Sequence, residues 1–104
     1  MKIGQIITAI KAKQVRISDH AKDEAKEDSL FLSDIFFSIH NGEIIEDYPK
    51  DKPYPSCLIY GFTEDGRPVH SVWAYNSDKK KAVLITVYKP DSERWIEHKI
   101  RKKL

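Results

Sequence analysis

Apolar residues recur every three or four positions in the first forty residues and every second position after them. The first stripe predicts a helix from about Lys2 to Lys13, and it consists of Ile3, Ile6, Ile7 and Ile10. Val15 and Ile17 then alternate with charged or polar residues, which indicates a short extended link or an edge strand. The change of period divides the chain into a helical part and a strand-forming part.

A second helix is predicted from Ser18 through Asp28. The Ser18 hydroxyl can accept hydrogen bonds from the free amides of a helix start, and the acids of the following turn suit the positive helix end. Only Ala21 and Ala25 offer apolar side chains to bury, so this helix is expected to lie shallowly.

A third helix is predicted with Ser33 as its N-cap. Leu32 and Phe37 have the spacing of a hydrophobic staple around that cap. The pair Asn41-Gly42 is typical of a helix that ends in a left-handed residue. These signals place the end of the helical part at Gly42.

Four strands are predicted after Gly42. They are Glu43–Tyr48, Cys57–Thr63, Pro68–Tyr75 and Ala82–Tyr88, with hairpin turns at Asp65-Gly66 and Asn76–Lys80. The predicted fold is therefore α+β, with N-terminal helices packed on a four-stranded, mainly antiparallel meander sheet. One domain is expected over residues 1–104, with a core of about 15–95 and residues 96–104 as a short helix or loose basic tail.

Composition narrows the class of protein. The chain has 104 residues, of which 40% are hydrophobic and 33% are charged, as in a globular protein with one core. It shows no apolar run near the roughly 20 residues needed to cross a bilayer, and no signal-peptide pattern. The single cysteine, Cys57, agrees with a reducing compartment. We therefore expect a cytoplasmic protein without a membrane partner.

The net charge of +2 does not by itself indicate a nucleic-acid partner, but the charges are unevenly distributed. Acids concentrate between Asp19 and Asp51, whereas bases gather at Lys11–Arg16, Lys79–Lys81 and Lys99–Lys103. This distribution is compatible with a basic edge that binds phosphate, and equally with ordinary solvated loops.

No metal motif, phosphate-binding glycine loop or nucleophile elbow occurs in the sequence, so no metal and no cofactor are expected. Metal-independent acid–base chemistry on RNA would need a base, an acid and a cation near the phosphate. The candidates for the acid–base roles are His20, Glu24, His70 and Tyr88. The candidates for binding the phosphate are Arg67, Lys89 and Arg94. For both His20 and His70, a structural role in fixing a helix or a sheet face remains open.

Several short motifs, taken in their order and spacing, resemble a small bacterial family. They are Ser18-Asp19-His20-Ala21, the segment Gly42 to Tyr48, Pro53 to Leu58, Gly66 to His70, and Thr86 to Pro90. The family is catalogued as domain of unknown function 4258 and is distantly similar to the BrnT and RelE-type toxins of toxin-antitoxin operons.

This resemblance implies a toxin that cleaves RNA without a metal, with RNA or the ribosome and a cognate antitoxin as partners. The recurrent polar positions of the family match His20, Glu24, Arg67, His70, Tyr88 and Arg94. The chain departs from the family pattern in its second helix, where residues 23–28 are chiefly acidic. An acidic helix would repel RNA and favours the alternative of a non-catalytic module, whose proline-bounded loop and sheet edge bind another protein.

Overall fold

The structure is an α+β fold in which helices pack on a mixed sheet. The computed structural model describes residues 1–102. Its helices are α1 (Ile3–Lys11), α2 (Asp19–Glu27) and α3 (Leu32–His40). Its sheet contains β1 (Val15–Ile17), β2 (Glu43–Tyr48), β3 (Ser56–Phe62), β4 (Pro68–Asn76) and β5 (Lys81–Tyr88), and a separate hairpin contains β6 (Trp95–Ile96) and β7 (Ile100–Arg101). Within residues 1–102, no helix has the length and apolar character needed to cross a membrane.

The sheet has five strands in the order β1-β5-β4-β3-β2. The predicted antiparallel meander from β2 to β5 is confirmed, but the predicted total of four strands is wrong. Val15–Ile17 forms an edge strand that runs parallel to β5, with Val15 opposite Ala82 and Ile17 opposite Leu84. Of the two alternatives predicted for Val15 to Ile17, the edge strand is therefore confirmed. Its partner strand lies far away in the sequence, so local patterning could not reveal the parallel pairing.

The helices cover one face of the sheet. Trp73 is fully buried at the centre of that interface, where it contacts apolar side chains from the helices and from the neighbouring strands. The fully buried members of this core include Ile6, Ile35, Ile39, Ile59, Val69, Leu84 and Val87. Burial of these side chains, at about 25 cal/mol per Å² of apolar surface, is the main force that holds the two layers together.

The start of α2 agrees with the sequence prediction. The Ser18 side chain accepts a hydrogen bond from the amide of Ala21 at 3.1 Å, and its hydroxyl donates to the carbonyl of Ile85 at 2.9 Å. Ala21 and Ala25 are buried as expected. Ser18 thus caps the helix and ties it to β5 at the same time.

The predicted N-cap of α3 is wrong, whereas the predicted end of the helix at Asn41-Gly42 is confirmed, although without a left-handed residue. Its N-cap is Phe31, not Ser33, and the Asp34 carboxylate accepts from the Phe31 amide at 2.9 Å. The proposed staple residue Phe37 is exposed. At the other end Asn41 has a φ of −101°, which is not left-handed, and its side-chain amide donates to the carbonyls of Phe37 and Phe62. A side chain therefore satisfies the helix end, and a left-handed turn is not needed.

Glycine is needed in β3 because α3 lies directly against its backbone. A Cβ atom on Gly61 would stand 1.9 Å from the carbonyl oxygen of Ser38, far inside van der Waals contact. The close approach brings the helix onto the sheet without an intervening side chain. By contrast, a Cβ atom on Gly4 would meet nothing within 4 Å.

Residues 96–101, part of the segment expected to be a short helix or a loose tail, form the hairpin β6–β7 together with Trp95, so that expectation is wrong for these residues. Its turn residues Glu97 and His98 have φ values of 50° and 64°. The Lys99 ammonium pairs with Glu43 at 2.8 Å, and the Arg101 guanidinium lies over the buried Trp95 ring, 4.6 Å from its centroid. Glu43 on β2 and the Trp95 ring hold the basic segment in place. The contact with Glu43 joins distant parts of the sequence, whereas the contact with Trp95 lies within the hairpin. Residues 103–104 of the predicted tail lie outside the described residues.

The contact between α3 and β3 gives a stability prediction. We expect Gly61→Ala to lower the free energy of unfolding by about 1–3 kcal/mol or more, because a backbone atom must move to admit the methyl group. Gly4→Ala is the matched control and should leave stability unchanged or raise it by up to about 1 kcal/mol. Urea unfolding followed by circular dichroism measures both, and equal stabilities of the two variants would contradict the packing described.

Candidate functional site

Polar and aromatic side chains gather on the sheet face that points away from the helices. Ile59, Val69 and Val87 belong to the core, so the residues that follow them in each strand point to the opposite side. Those residues are Tyr60, His70 and Tyr88, which lie side by side in the register of β3, β4 and β5. The hairpin β6–β7 covers part of this row.

His70 is fully buried, and both ring nitrogens have partners. Its Nδ1 lies 3.2 Å from the Tyr88 hydroxyl, and its Nε2 lies 2.5 Å from the carbonyl oxygen of His98. The Trp95 ring meets the imidazole edge to face, with the centroids 4.4 Å apart. Burial lowers the pKa of His70, and the hydrogen bond to the His98 carbonyl offsets this only in part. The neutral ring therefore donates from Nε2 and accepts at Nδ1 from the Tyr88 hydroxyl.

Tyr88 connects this buried imidazole to an open hollow of about 320 Å³. The hollow is lined by Tyr88, Lys89, Asp91, Arg94, Trp95 and Arg101. Burial raises the pKa of Tyr88, so the phenol stays protonated near neutral pH. Among residues 1–102, the Lys89 and Arg94 side chains take part in no salt bridge. Tyr88 thus lines a hollow that also contains two cations without a salt-bridge partner and one carboxylate, Asp91.

Three further residues of the face were not among the sequence candidates. The Arg101 guanidinium pairs with the Glu46 carboxylate at 3.1 Å, and the Tyr48 hydroxyl donates to the same carboxylate. Burial alone would raise the pKa of Glu46, but the hydrogen bonds from Arg101 and Tyr48 outweigh it and lower that pKa. The alternation of β2 could have placed Glu46 and Tyr48 on this face. Nothing in the sequence indicates that Arg101 returns to them.

His20 and Glu24 lie beside this row at the edge of β5. The His20 Nε2 atom is 3.1 Å from a Glu24 carboxylate oxygen, and the His20 side chain is 70% exposed. The same oxygen accepts from the Thr86 hydroxyl and from the Val87 amide, the latter at 3.2 Å. Because β1 ends at Ile17, Glu24 satisfies an edge amide that no strand reaches. Glu24 also raises the pKa of Tyr88 through its charge.

Arg67 lies apart from the other candidates. Its guanidinium donates to the Ser29 carbonyl at 3.0 Å and pairs with Asp34 at 3.5 Å and with Asp65 at 3.2 Å. These contacts clamp the β3–β4 turn to the loop before α3. From the sequence, Arg67 is expected to bind phosphate. Its guanidinium instead pairs with Asp34 and Asp65, and Arg67 does not line the Tyr88 hollow.

Comparison with family models gives a match to residues 17–89, described as Domain of unknown function (DUF4258). The matched segment is more than half of the chain. The chain belongs to the DUF4258 family. Searches of the curated proteins and of the solved structures gave no match. The DUF4258 segment contains His70, Tyr88 and Lys89, whereas Arg94 and the hairpin lie beyond its end.

The side chains of this DUF4258 chain that could bind a metal ion do not form a cluster within residues 1–102. Within residues 1–102, no three or more side chains of His, Cys, Asp or Glu are grouped so that they could hold a metal ion. Cys57 is buried, and its burial, with the nearby Asp47 charge, raises the pKa of the thiol to about 12. A thiol with that pKa stays protonated, in agreement with a packing role.

The buried imidazole makes the stability of this DUF4258 domain depend on pH. The folded protein has a His70 pKa below the ordinary 6.5, so the unfolded chain takes up this proton at a higher pH than the folded protein. The stability contributed by the neutral ring is complete above about pH 7 and is lost as the pH falls below 6.5.

We therefore expect the wild type to lose more unfolding free energy than His70→Gln between about pH 7.5 and pH 5.5. His40→Gln, at the exposed end of α3, is the control and should follow the wild type. Urea titrations at both pH values measure the difference. The same pH dependence in wild type and His70→Gln would refute the burial of a neutral imidazole.

Proposed function

We propose that this protein is a toxin-like, metal-independent endoribonuclease whose acid–base pair is Tyr88 and His70. The observation that supports this proposal is the position of the Tyr88 hydroxyl. It contacts His70 Nδ1, and the Tyr88 residue lines the hollow that also contains Lys89 and Arg94. A proton acceptor, a hydroxyl and cations thus meet where one phosphate group could bind.

In the proposed reaction the ribose 2′-oxygen attacks the adjacent phosphorus, and the bond from phosphorus to the 5′-oxygen breaks. Tyr88 takes the 2′-hydroxyl proton while its own proton passes to His70 Nδ1. Burial lowers the pKa of His70 and opposes the imidazolium that forms, whereas the hydrogen bond to the His98 carbonyl and the Glu46 charge offset part of this effect. The products are a 2′,3′-cyclic phosphate and a 5′-hydroxyl.

The other candidates have supporting roles in this proposal. Lys89 and Arg94 stabilise the charge that develops on the phosphate, because both cations line the hollow beside Tyr88. His20, solvent-exposed and paired with Glu24, is the group proposed to donate a proton to the leaving 5′-oxygen. Arg67 has no role in the reaction, since its guanidinium is held by Asp34 and Asp65.

The acidic α2 helix is compatible with an RNA substrate because its acids point in different directions. Glu24 faces β5, where its carboxylate accepts hydrogen bonds from the Thr86 hydroxyl and the Val87 amide. Asp28, which follows α2, accepts a hydrogen bond from the Lys89 amide at 2.8 Å. Asp19 and Asp23 line a separate hollow with Phe31. Part of the acidic charge of α2 therefore lies away from Tyr88, whereas the Glu24 charge acts on Tyr88 and contributes to its raised pKa.

The biological setting of the proposal comes from the resemblance to BrnT and RelE-type toxins. It includes messenger RNA or the ribosome as target, a cognate antitoxin as partner, and the cytoplasm as location. A non-catalytic interaction module is the second candidate, and the exposed aromatic side chain of Phe31 favours it.

The Tyr88 hydroxyl provides the first test. We expect Tyr88→Phe to lower the rate of RNA cleavage by about 100- to 10,000-fold, because the ring remains but the proton relay is lost. Tyr75→Phe is the matched control, since Tyr75 packs against the core and lies away from the hollow, and it should cleave like the wild type. Cleavage is measured in the presence of EDTA with end-group analysis of the products. Undiminished cleavage by Tyr88→Phe would exclude the proposed pair.

A second test uses cells. Expression of the wild type is expected to arrest growth with cleavage of transcripts, and the double variant His20→Ala, His70→Ala should be harmless. Circular dichroism of the purified variant checks that it folds, because His70 is buried. Growth arrest by a folded double variant would reject the assignment of both histidines. Absence of cleavage by the wild type under all conditions would favour the interaction module.

A further inference from the structure

Phe31 is a large apolar side chain that the fold leaves in solvent, with 77% of its surface exposed. The loop that carries it is nevertheless held firmly. The Phe31 amide donates to Asp34 at 2.9 Å, the Leu30 amide donates to the Ala25 carbonyl at 2.8 Å, and Arg67 donates to the Ser29 carbonyl at 3.0 Å. The ring is therefore presented outward from a fixed backbone, and a partner would not have to order the loop.

A hollow lies on each side of this ring. The first has a volume of about 400 Å³ and is lined by Phe31, Asp34, Glu64, Asp65 and Arg67. The second, of about 440 Å³, is mainly apolar and is lined by Asp19, Lys22, Asp23, Ala25, Lys26, Leu30, Phe31 and Leu32. Leu32 is also 47% exposed, so two neighbouring apolar side chains form one patch between the hollows. Exposed patches of this kind mark sites of contact with other proteins.

The charges of the first hollow favour a basic partner. It contains three carboxylates and one guanidinium, and that guanidinium already pairs with two of the carboxylates. Hydrogen bonds from Thr63 and Arg67 lower the pKa of Asp65, so this carboxylate is ionised near neutral pH. Glu64 forms no salt bridge within residues 1–102. The hollow therefore has an excess of negative charge, which disfavours RNA and attracts lysine or arginine.

We propose that Phe31 and the two hollows beside it form a docking surface for a partner-protein segment with apolar side chains flanked by lysines or arginines. The apolar side chains of the segment pack on Phe31 and Leu32, and its basic residues meet Glu64 and Asp65. This surface shares no residue with the Tyr88 hollow, so the inference does not depend on the ribonuclease proposal. A rigid aromatic anchor beside an apolar hollow and a charged hollow resembles an interaction hot spot, in which a buried aromatic residue is surrounded by polar contacts.

The test uses two synthetic amphipathic peptides of equal length, one in which leucines alternate with lysines and one with glutamates in place of the lysines. Fluorescence polarisation should show that the full-length protein binds the basic peptide at least about ten-fold more tightly than the acidic peptide. Phe31→Ala should weaken binding of the basic peptide by about 30-fold, as expected of a hot-spot residue. Glu64→Lys should weaken it as well, through the loss of charge complementarity.

Two control variants distinguish binding at this surface from nonspecific binding of the peptide. Phe62→Ala removes another exposed phenylalanine, which lines a different hollow with Tyr60 and Lys99. Glu93→Lys makes the same charge change outside the hollows, and both controls should bind the basic peptide like the wild type. Amide shifts in NMR spectra should map to residues 29–34 and 64–67.

Four outcomes would overturn the proposal. They are no binding of the basic peptide, equal binding of the acidic peptide, no effect of Phe31→Ala, and concentration-dependent self-association that Phe31→Ala abolishes. The last result would show that a second copy of the chain occupies the patch. Loss of RNA cleavage in Tyr88→Phe with unchanged peptide binding would show that the two surfaces act separately.

Discussion

The open face of the sheet depends on one buried imidazole. His70 accepts from Tyr88 and donates to the backbone of His98, so it joins the end of β5 to the hairpin that follows it. An unpaired polar ring at this depth would cost several kcal/mol, and both neighbours are therefore required. The same constraint keeps the ring neutral, aligns the Tyr88 hydroxyl, and places Trp95 and Arg101 around the hollow.

The Tyr88 hollow is lined by two parts of the chain, one inside the segment that the family model matches and one beyond it. Tyr88 and Lys89 end the segment that the DUF4258 model matches, whereas Arg94 and Arg101 come from residues beyond it. The charge pattern of the surface also has two parts. The Tyr88 hollow is lined by three cations and one carboxylate, whereas the hollow of Asp34 and Asp65 beside Phe31 is lined by three carboxylates and one cation. A molecule with net charge of only +2 thus presents one surface suited to anions and another suited to cations.

Much of the fold could be predicted because its signals are local. Ser18 caps α2 where its hydroxyl and the following acids indicate, and the alternation of apolar residues gives all four strands of the meander. Two of the errors have a shared cause. β1 pairs with residues 67 positions away and Asn41 is held by β3, so these two features depend on contacts between distant parts of the chain. The N-cap of α3 is a local contact between Phe31 and Asp34, which the sequence analysis placed at Ser33 instead.

Some features of the candidate site also follow from the sequence, whereas others depend on the tertiary structure. By itself the sequence determined the residue types available, the strand positions that put His70 and Tyr88 on one face, and the pairing of His20 with Glu24 along a helix. Only the tertiary structure decided that His70 is buried under a hairpin, that Arg67 is taken up by Asp34 and Asp65, and that Arg101 returns to Glu46. Burial and ion pairing depend on which distant side chains become neighbours, and backbone periodicity carries no information about that choice.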